Sequence, residues 1–207
     1  MIIVVSPNRF FFEGFSVISE QALEMSNTFS RIIYATDIHS VGDDFLQMTK
    51  AIIIDYCSAD FGMLVKLMEV RFKHPRCDVI LIAKEERLSD TSENILINTV
   101  SDVVIDSHSE IRQIKIYLEF NCARKKTKVI IKSVAWSEIE QKIRLTRKED
   151  MILPYIISGK NNKEISRFVD VSDKTVSHYR RKIYHKFNAN SLTEFYKEFQ
   201  KITHKPI

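Results

Sequence analysis

Glycine is scarce in this 207-residue sequence, which holds only Gly14, Gly42, Gly62 and Gly159. No Gly-rich phosphate loop or nucleophile elbow can be assembled from them, and no carboxylate pair is set out for glycosidic chemistry, so nothing frames an enzyme. Cysteine is scarce too: Cys57, Cys77 and Cys122 are too few and too scattered for a disulfide framework. No Cys/His cluster has metal-ligand spacing, so neither a metal nor another cofactor is expected, and a reducing cytosol fits best. Long apolar runs are missing. The apolar start, residues 1–5, is far shorter than a signal-peptide core, and nothing approaches the roughly 18 apolar residues of a spanning helix, so neither export nor membrane insertion is expected.

What is present is 44% hydrophobic residues, enough to bury the core of one large domain or two small ones, and a charge of +4 distributed unevenly. Residues 1–123 carry 11 Lys and Arg against 18 Asp and Glu, residues 124–144 carry 7 against 2, and residues 145–207 carry 13 against 7. The cations gather in the C-terminal part, where a polyanion would be met.

Short β-branched runs at Ile2–Val5, 31–35, Ala51–Asp55, Asp78–Ala83 and 102–105 alternate with longer amphipathic stretches. Continuous apolar runs suit strands covered on both faces, and Phe61, Leu64, Val65, Met68 and Phe72 have the spacing of a buried helical stripe. Five strands alternating with five helices, ending near Cys122, predict an α/β domain over residues 1–123 with a doubly wound, five-stranded parallel sheet of the flavodoxin or receiver type. The charge run Arg124-Lys125-Lys126-Thr127-Lys128 opens a basic linker over 124–144. It is either simply solvated or a supplementary phosphate contact, and residues 129–131 and 136–143 fit a short strand plus helix or a structured tether equally.

From Leu145 the boundary signals are those of helices. Thr146 with Glu149 makes a capping box, Gly159 supplies a left-handed C′ residue, and a second helix starts near Asn161 with Ile165 and Phe168 inward. After the turn at 169–171, Ser172 caps a third helix over 172–187. Val176, Ile183 and Phe187 share one face of it, with Tyr179 at the margin. Ser177, His178, Arg181, Lys182 and His185 lie on the other, which is what a helix in a major groove needs. A fourth helix from Ser191 aligns Leu192, Phe195, Tyr196 and Phe199, aromatics expected first in the core and second in an interface. Pro154 falls inside the first helix, where a kink is expected.

Leu145-Thr146 with Glu149, Gly159, Asn162-Lys163-Glu164-Ile165, Thr175-Val176 and Lys186-Phe187, in that order, resemble the LuxR-type helix-turn-helix of bacterial transcription regulators, an all-α four-helix domain placed here at 145–207. The resemblance implies base reading by Ser177, His178 and Arg181, phosphate contacts from Lys163, Thr175, Lys182 and Lys186, and dimerisation through the last helix. A merely exposed His178 is the alternative. With that domain named, the N-terminal part resembles a response-regulator receiver: Phe11 to Phe15 resemble the opening of its first helix, and Asp55 ends the third run where the phosphate-accepting aspartate sits.

The receiver chemistry is incomplete. Ser6 and Pro7 replace the acidic pair that would hold Mg²⁺, Ile82 stands for the hydroxyl residue of the fourth strand, and Asp106 for the lysine after the fifth. The expectation is a pseudo-receiver, its fold kept and its phosphoryl switch lost, with Asp55 read as a solvated loop carboxylate before a vestigial phosphoacceptor. Asp43 and Asp44 read as a helix-flanking pair, and His39, His74, His108 and His204 as surface residues. The partner expected is double-stranded DNA, bound by a homodimer or by a heterodimer with another regulator. The alternatives are a co-regulator competent only within such a heterodimer, and a phosphorylation-controlled regulator using Asp55.

Overall fold

The computed structural model describes residues 1–26, 31–84, 86–87, 91–107 and 143–203. The chain divides into two compact units, one of Met1–Leu88 with Ile97–Ile131 and the other of Ser89–Leu96 with Lys132–Ile207. The expected linker at 124–144 lies almost wholly outside the described residues, as do Cys122, His108, His204 and the helix expected before Cys122.

The apolar runs become a five-stranded parallel sheet in the order β2-β1-β3-β4-β5. The inner strands β1 (Ile2–Val5) and β3 (Ala51–Asp55) are buried throughout, and β4 (Asp78–Ala83) everywhere but its first residue. Of the outer strands, β2 (Ile32–Ala35) has no buried residue and β5 (Val103–Asp106) is buried only at Val104 and Ile105. That is why the inner runs are apolar at consecutive positions rather than alternate ones. Between strands lie α1 (Arg9–Ser26), α2 (Asp43–Gln47), α3 (Phe61–Lys73) and α4 (Thr91–Val100).

One face of the sheet, from Ile2, Val4, Ala51, Ile53, Ile80, Ile82 and Ile105, closes over Phe15 with Phe11, Phe12 and Ile18 at the edge. The stripe expected on α3 is displaced. Met63, Leu64, Leu67, Met68 and Val70 are buried, whereas Phe61 and Phe72 are 36% and 49% exposed. Phe61 and Phe72 lie at the two ends of the helix, where only part of a large ring can be covered. At the far end of α3, the Arg71 guanidinium donates to both carboxylate oxygens of Asp102, at 2.7 and 2.6 Å, and to the Cys77 carbonyl at 2.9 Å, fastening the helix to the turn that starts β5. Asp43 and Asp44 occupy the first turn of α2, as expected of a helix-flanking pair, and Asp43 accepts from Lys73 at 2.9 Å. His74 is not a free surface residue: its side chain is largely covered, with Nε2 3.9 Å from Asp43.

The C-terminal part of the second unit holds α5 (Arg147–Ile157), α6 (Asn162–Val169), α7 (Asp173–Lys186) and α8 (Leu192–Thr203). Its core is Ile152, Leu153, Ile156, Ile165, Val176, Ile183, Phe187, Phe195 and Phe199. The Phe195 ring meets those of Phe187, Tyr184 and Phe199 at centroid distances of 5.1, 5.4 and 5.6 Å, so α8 closes the core with aromatic contacts. Leu192, expected on the same stripe, is the first residue of the helix and is 37% exposed. The helix α5 runs through Pro154 to Ile157, and Ser158 N–H donates to the Pro154 carbonyl.

Candidate nucleic-acid interface

The orientation of α7 depends on how each helix end is finished. At the start of α5, Thr146 Oγ1 accepts the Glu149 N–H and Glu149 Oε2 accepts the Thr146 N–H at 2.7 Å, the capping box expected from the sequence. At its end Gly159 has φ +79°, with Gly159 N–H on the Ile156 carbonyl and Lys160 N–H on that of Tyr155, a left-handed turn that glycine adopts without strain. A second capping box, Asn161 with Glu164, opens α6. Asp170 ends α6 in the left-handed region at φ 51°, and Ser172 then accepts the Thr175 N–H at 3.1 Å to start α7.

Arg180, which sequence reasoning passed over, and Tyr196, whose ring it placed on the aromatic stripe, tie these helices together through their polar atoms. Arg180, on α7, donates to the Lys160 carbonyl beyond α5 and to Tyr184 Oη. Tyr196, on α8, donates to the Ile156 and Ile157 carbonyls at 2.8 and 3.2 Å, adding a side-chain donor to the last carbonyls of α5. Desolvation raises the phenol of Tyr196, and likewise that of Tyr155, whose ring stacks on Phe168 at 5.1 Å. The signal for Arg180 and Tyr184 was in the sequence, since 176, 180, 183, 184 and 187 follow the i, i+4, i+7, i+8, i+11 spacing of one helix face.

On the other side of α7, Lys174, His178, Arg181, Lys182 and His185 are exposed, while Ser177 and Tyr179 are half-buried. Lys163 is exposed in the first turn of α6. The Thr175 hydroxyl lies 2.8 Å from that of Ser172, inside the cap. Lys174, His178, Arg181, Lys182 and His185 thus share the exposed side of α7, with the carboxylate of Asp173 in its first turn.

Lys186 does not join that surface as a free cation. Its ammonium donates to Glu149 Oε2 at 2.6 Å and to the Arg144 carbonyl at 2.9 Å, and the Glu149 side chain is 2% exposed. Two of its three N–H donors are thereby used inside the domain, because a buried carboxylate needs a partner more than an exposed lysine needs solvent. Burial by itself would push the Glu149 carboxyl up, but the hydrogen bonds from Lys186 and Thr146 outweigh it and hold the group below its ordinary value.

Residues 144–199 match the family described as "Bacterial regulatory proteins, luxR family". The second unit carries a luxR-family domain. Among curated proteins none matches the sequence. Solved structures similar to the chain include the RcsB response regulator of Salmonella typhimurium, at 13% identity over 96% of this chain and 98% of that one with a TM-score of 0.45. A two-component response regulator RcsB–DNA complex matches at 14% identity over 96% of each chain, TM-score 0.45. Full-length FixJ of B. japonicum matches at 16% identity over 99% and 98%, TM-score 0.45. At TM-scores of this size these likenesses add nothing to what the strand order and the family match establish.

The luxR-family domain follows a sheet domain whose candidate site lies where β1 and β3 end. Asp55 is not the solvated carboxylate expected: it is 4% exposed. Oδ2 accepts from the fully buried Ser6 hydroxyl at 2.8 Å, and Oδ1 accepts the Cys57 N–H at 3.1 Å. The strand register puts Asp55 opposite Ile82 and Ala83 opposite Asp106. The strand end falls on Ala83, one residue after the position assigned to Ile82, and neither residue carries a hydroxyl. Desolvation raises the neighbouring Cys57 thiol, so its reactive thiolate is disfavoured. Among the described residues no group of three or more His, Cys, Asp or Glu could hold a metal ion, and no helix is long and apolar enough to cross a membrane.

Proposed function

We propose that this chain is a cytoplasmic transcription regulator that binds duplex DNA sequence-specifically as a dimer, with α7 in the major groove. The observation that carries the reading is the outer surface of α7, where Lys174, His178, Arg181, Lys182 and His185 are exposed together while Val176, Ile183 and Phe187 are buried behind them. A helix that shows cations and short polar groups to solvent can meet phosphates and base edges at once. Arg181, His178 and Ser177 are assigned to base edges, and Lys163, Lys182 and Thr175 to phosphates. Two such helices fit successive major grooves about 34–36 Å apart. The N-terminal domain over residues 1–123 works as a pseudo-receiver in this reading, with 124–144 as the linker. Both Asp55 oxygens are engaged by protein donors, and Ser6 lacks the carboxylate that would recruit Mg²⁺.

The test is binding of the full chain to a random duplex pool by repeated selection, followed by titration of the enriched and scrambled duplexes with wild type and Arg181→Ala. Loss of one base contact is expected to reduce the free-energy discrimination between the two duplexes by about 1–3 kcal/mol. Absence of enrichment, or an unchanged ratio in the variant, refutes the assignment. Light scattering with and without the enriched duplex reads the oligomeric state.

A further inference from the structure

We infer that His185 takes the phosphate contact at the C-terminal end of α7, and that this contact is linked to proton uptake. The inference rests on the reading of α7 as the groove helix. It starts from the displacement of Lys186: the cation placed at this end of the helix by family resemblance is tied to Glu149 and to the Arg144 carbonyl. His185, one residue earlier, is exposed on the same side as His178, seven residues or two helical turns before it. Two turns of helix rise about 10.5 Å, so the two imidazoles stand well apart along the helix, His178 towards the end that meets bases and His185 towards the end that leaves the groove.

The surroundings leave His185 available to an outside anion. One turn back on α7 stand Arg181 and Lys182, both exposed cations. On the elements packed against or following α7, Glu149 of α5 is held by Lys186, and Glu164 of α6 by Lys160 and the Asn161 N–H. Glu194 of α8 accepts the Asn190 N–H, and Glu198 accepts from Lys201. Asp173 lies at the opposite end of the helix. No hydrogen bond or ion pair joins His185 to a carboxylate among the described residues, so a DNA phosphate is the anion that this ring can meet. Histidine ordinarily changes charge between pH 5 and 8, and a phosphate within contact distance favours the imidazolium. Duplex binding then takes up a proton, and the contact strengthens as pH falls.

Counterion release gives the readout. One added phosphate contact steepens the dependence of log Kobs on log salt by about 0.9, equal to about a 3.5-fold larger loss of affinity between 50 and 200 mM salt. The full chain is titrated on a random-sequence 24-base-pair duplex at pH 8 and pH 6, with wild type, His185→Gln and His185→Lys. The wild-type slope should steepen on acidification by about 0.9 more than that of His185→Gln, and His185→Lys should be steep already at pH 8. Equal steepening in wild type and His185→Gln, or a His185→Lys slope at pH 8 no steeper than that of His185→Gln, overturns the inference while leaving the groove helix intact. Failure of wild type to bind any duplex at either pH overturns both.

Discussion

Replacing Lys186 by methionine removes an ammonium from a carboxylate that is 2% exposed while keeping the length of the side chain. Glu149 would keep one strong donor, the Thr146 N–H at 2.7 Å, and lose the 2.6 Å bond from the lysine. Removing one partner of a fully buried pair costs about 3–5 kcal/mol. Lys186 is 29% exposed, so water can reach part of the site and the expected loss is lower, about 2–3 kcal/mol. The sign of the pH dependence follows from Glu149. Its folded-state carboxyl lies below the ordinary 4.5, so the wild-type contribution is complete above that value and is lost as pH falls through the lower one. In Lys186→Met burial dominates instead, the folded-state carboxyl rises above its unfolded value, and acid unfolding moves to higher pH. Urea unfolding of the full chain followed by tyrosine fluorescence, repeated between pH 3 and 7, measures both effects. Adding Glu149→Gln to Lys186→Met should recover about 1–2 kcal/mol at pH 7, because glutamine retains the cap without the buried charge. A Lys186→Met variant within about 0.5 kcal/mol of wild type, or a double variant no more stable than the single, would show the pair to be an ordinary surface bridge.

Two further outcomes are expected. Acetyl phosphate with Mg²⁺ should leave the full chain unlabelled, since Ser6 and the Cys57 N–H already engage both oxygens of Asp55; an acid-stable, base-labile label that disappears in Asp55→Asn would refute the pseudo-receiver reading. Gly159→Ala should destabilise the luxR-family domain by about 1–2 kcal/mol through backbone strain alone, because φ is +79° and nothing lies within 4 Å of an added Cβ; calorimetry showing no fall in the transition would count against it.

Much of the architecture was legible before any coordinates. Consecutive apolar residues at Ile2–Val5, Ala51–Asp55 and Asp78–Ala83 predict strands covered on both sides, and the structure makes them the inner strands of the sheet. The caps at Thr146 and Ser172, the helix start near Asn161 and the turn at Gly159 were also legible, because each rests on a residue type whose preference is local. The α3 stripe was half legible: spacing located the helix but could not say that its ends would leave Phe61 and Phe72 uncovered.

The sequence by itself determined where most of the helices and strands lie, which residues line the outer side of α7, and that Ser6 and Pro7 stand where a receiver would carry its acidic pair. Tertiary structure alone decided which charged and polar groups meet across long stretches of chain. Lys186 meets Glu149 across 37 positions, Arg180 meets the Lys160 carbonyl across 20, and Ser6 meets Asp55 across 49. Capping and periodicity act over three or four residues and so leave a trace in local spacing. A buried carboxylate takes whichever donor the packed chain brings within about 3 Å, and that depends on how distant elements meet.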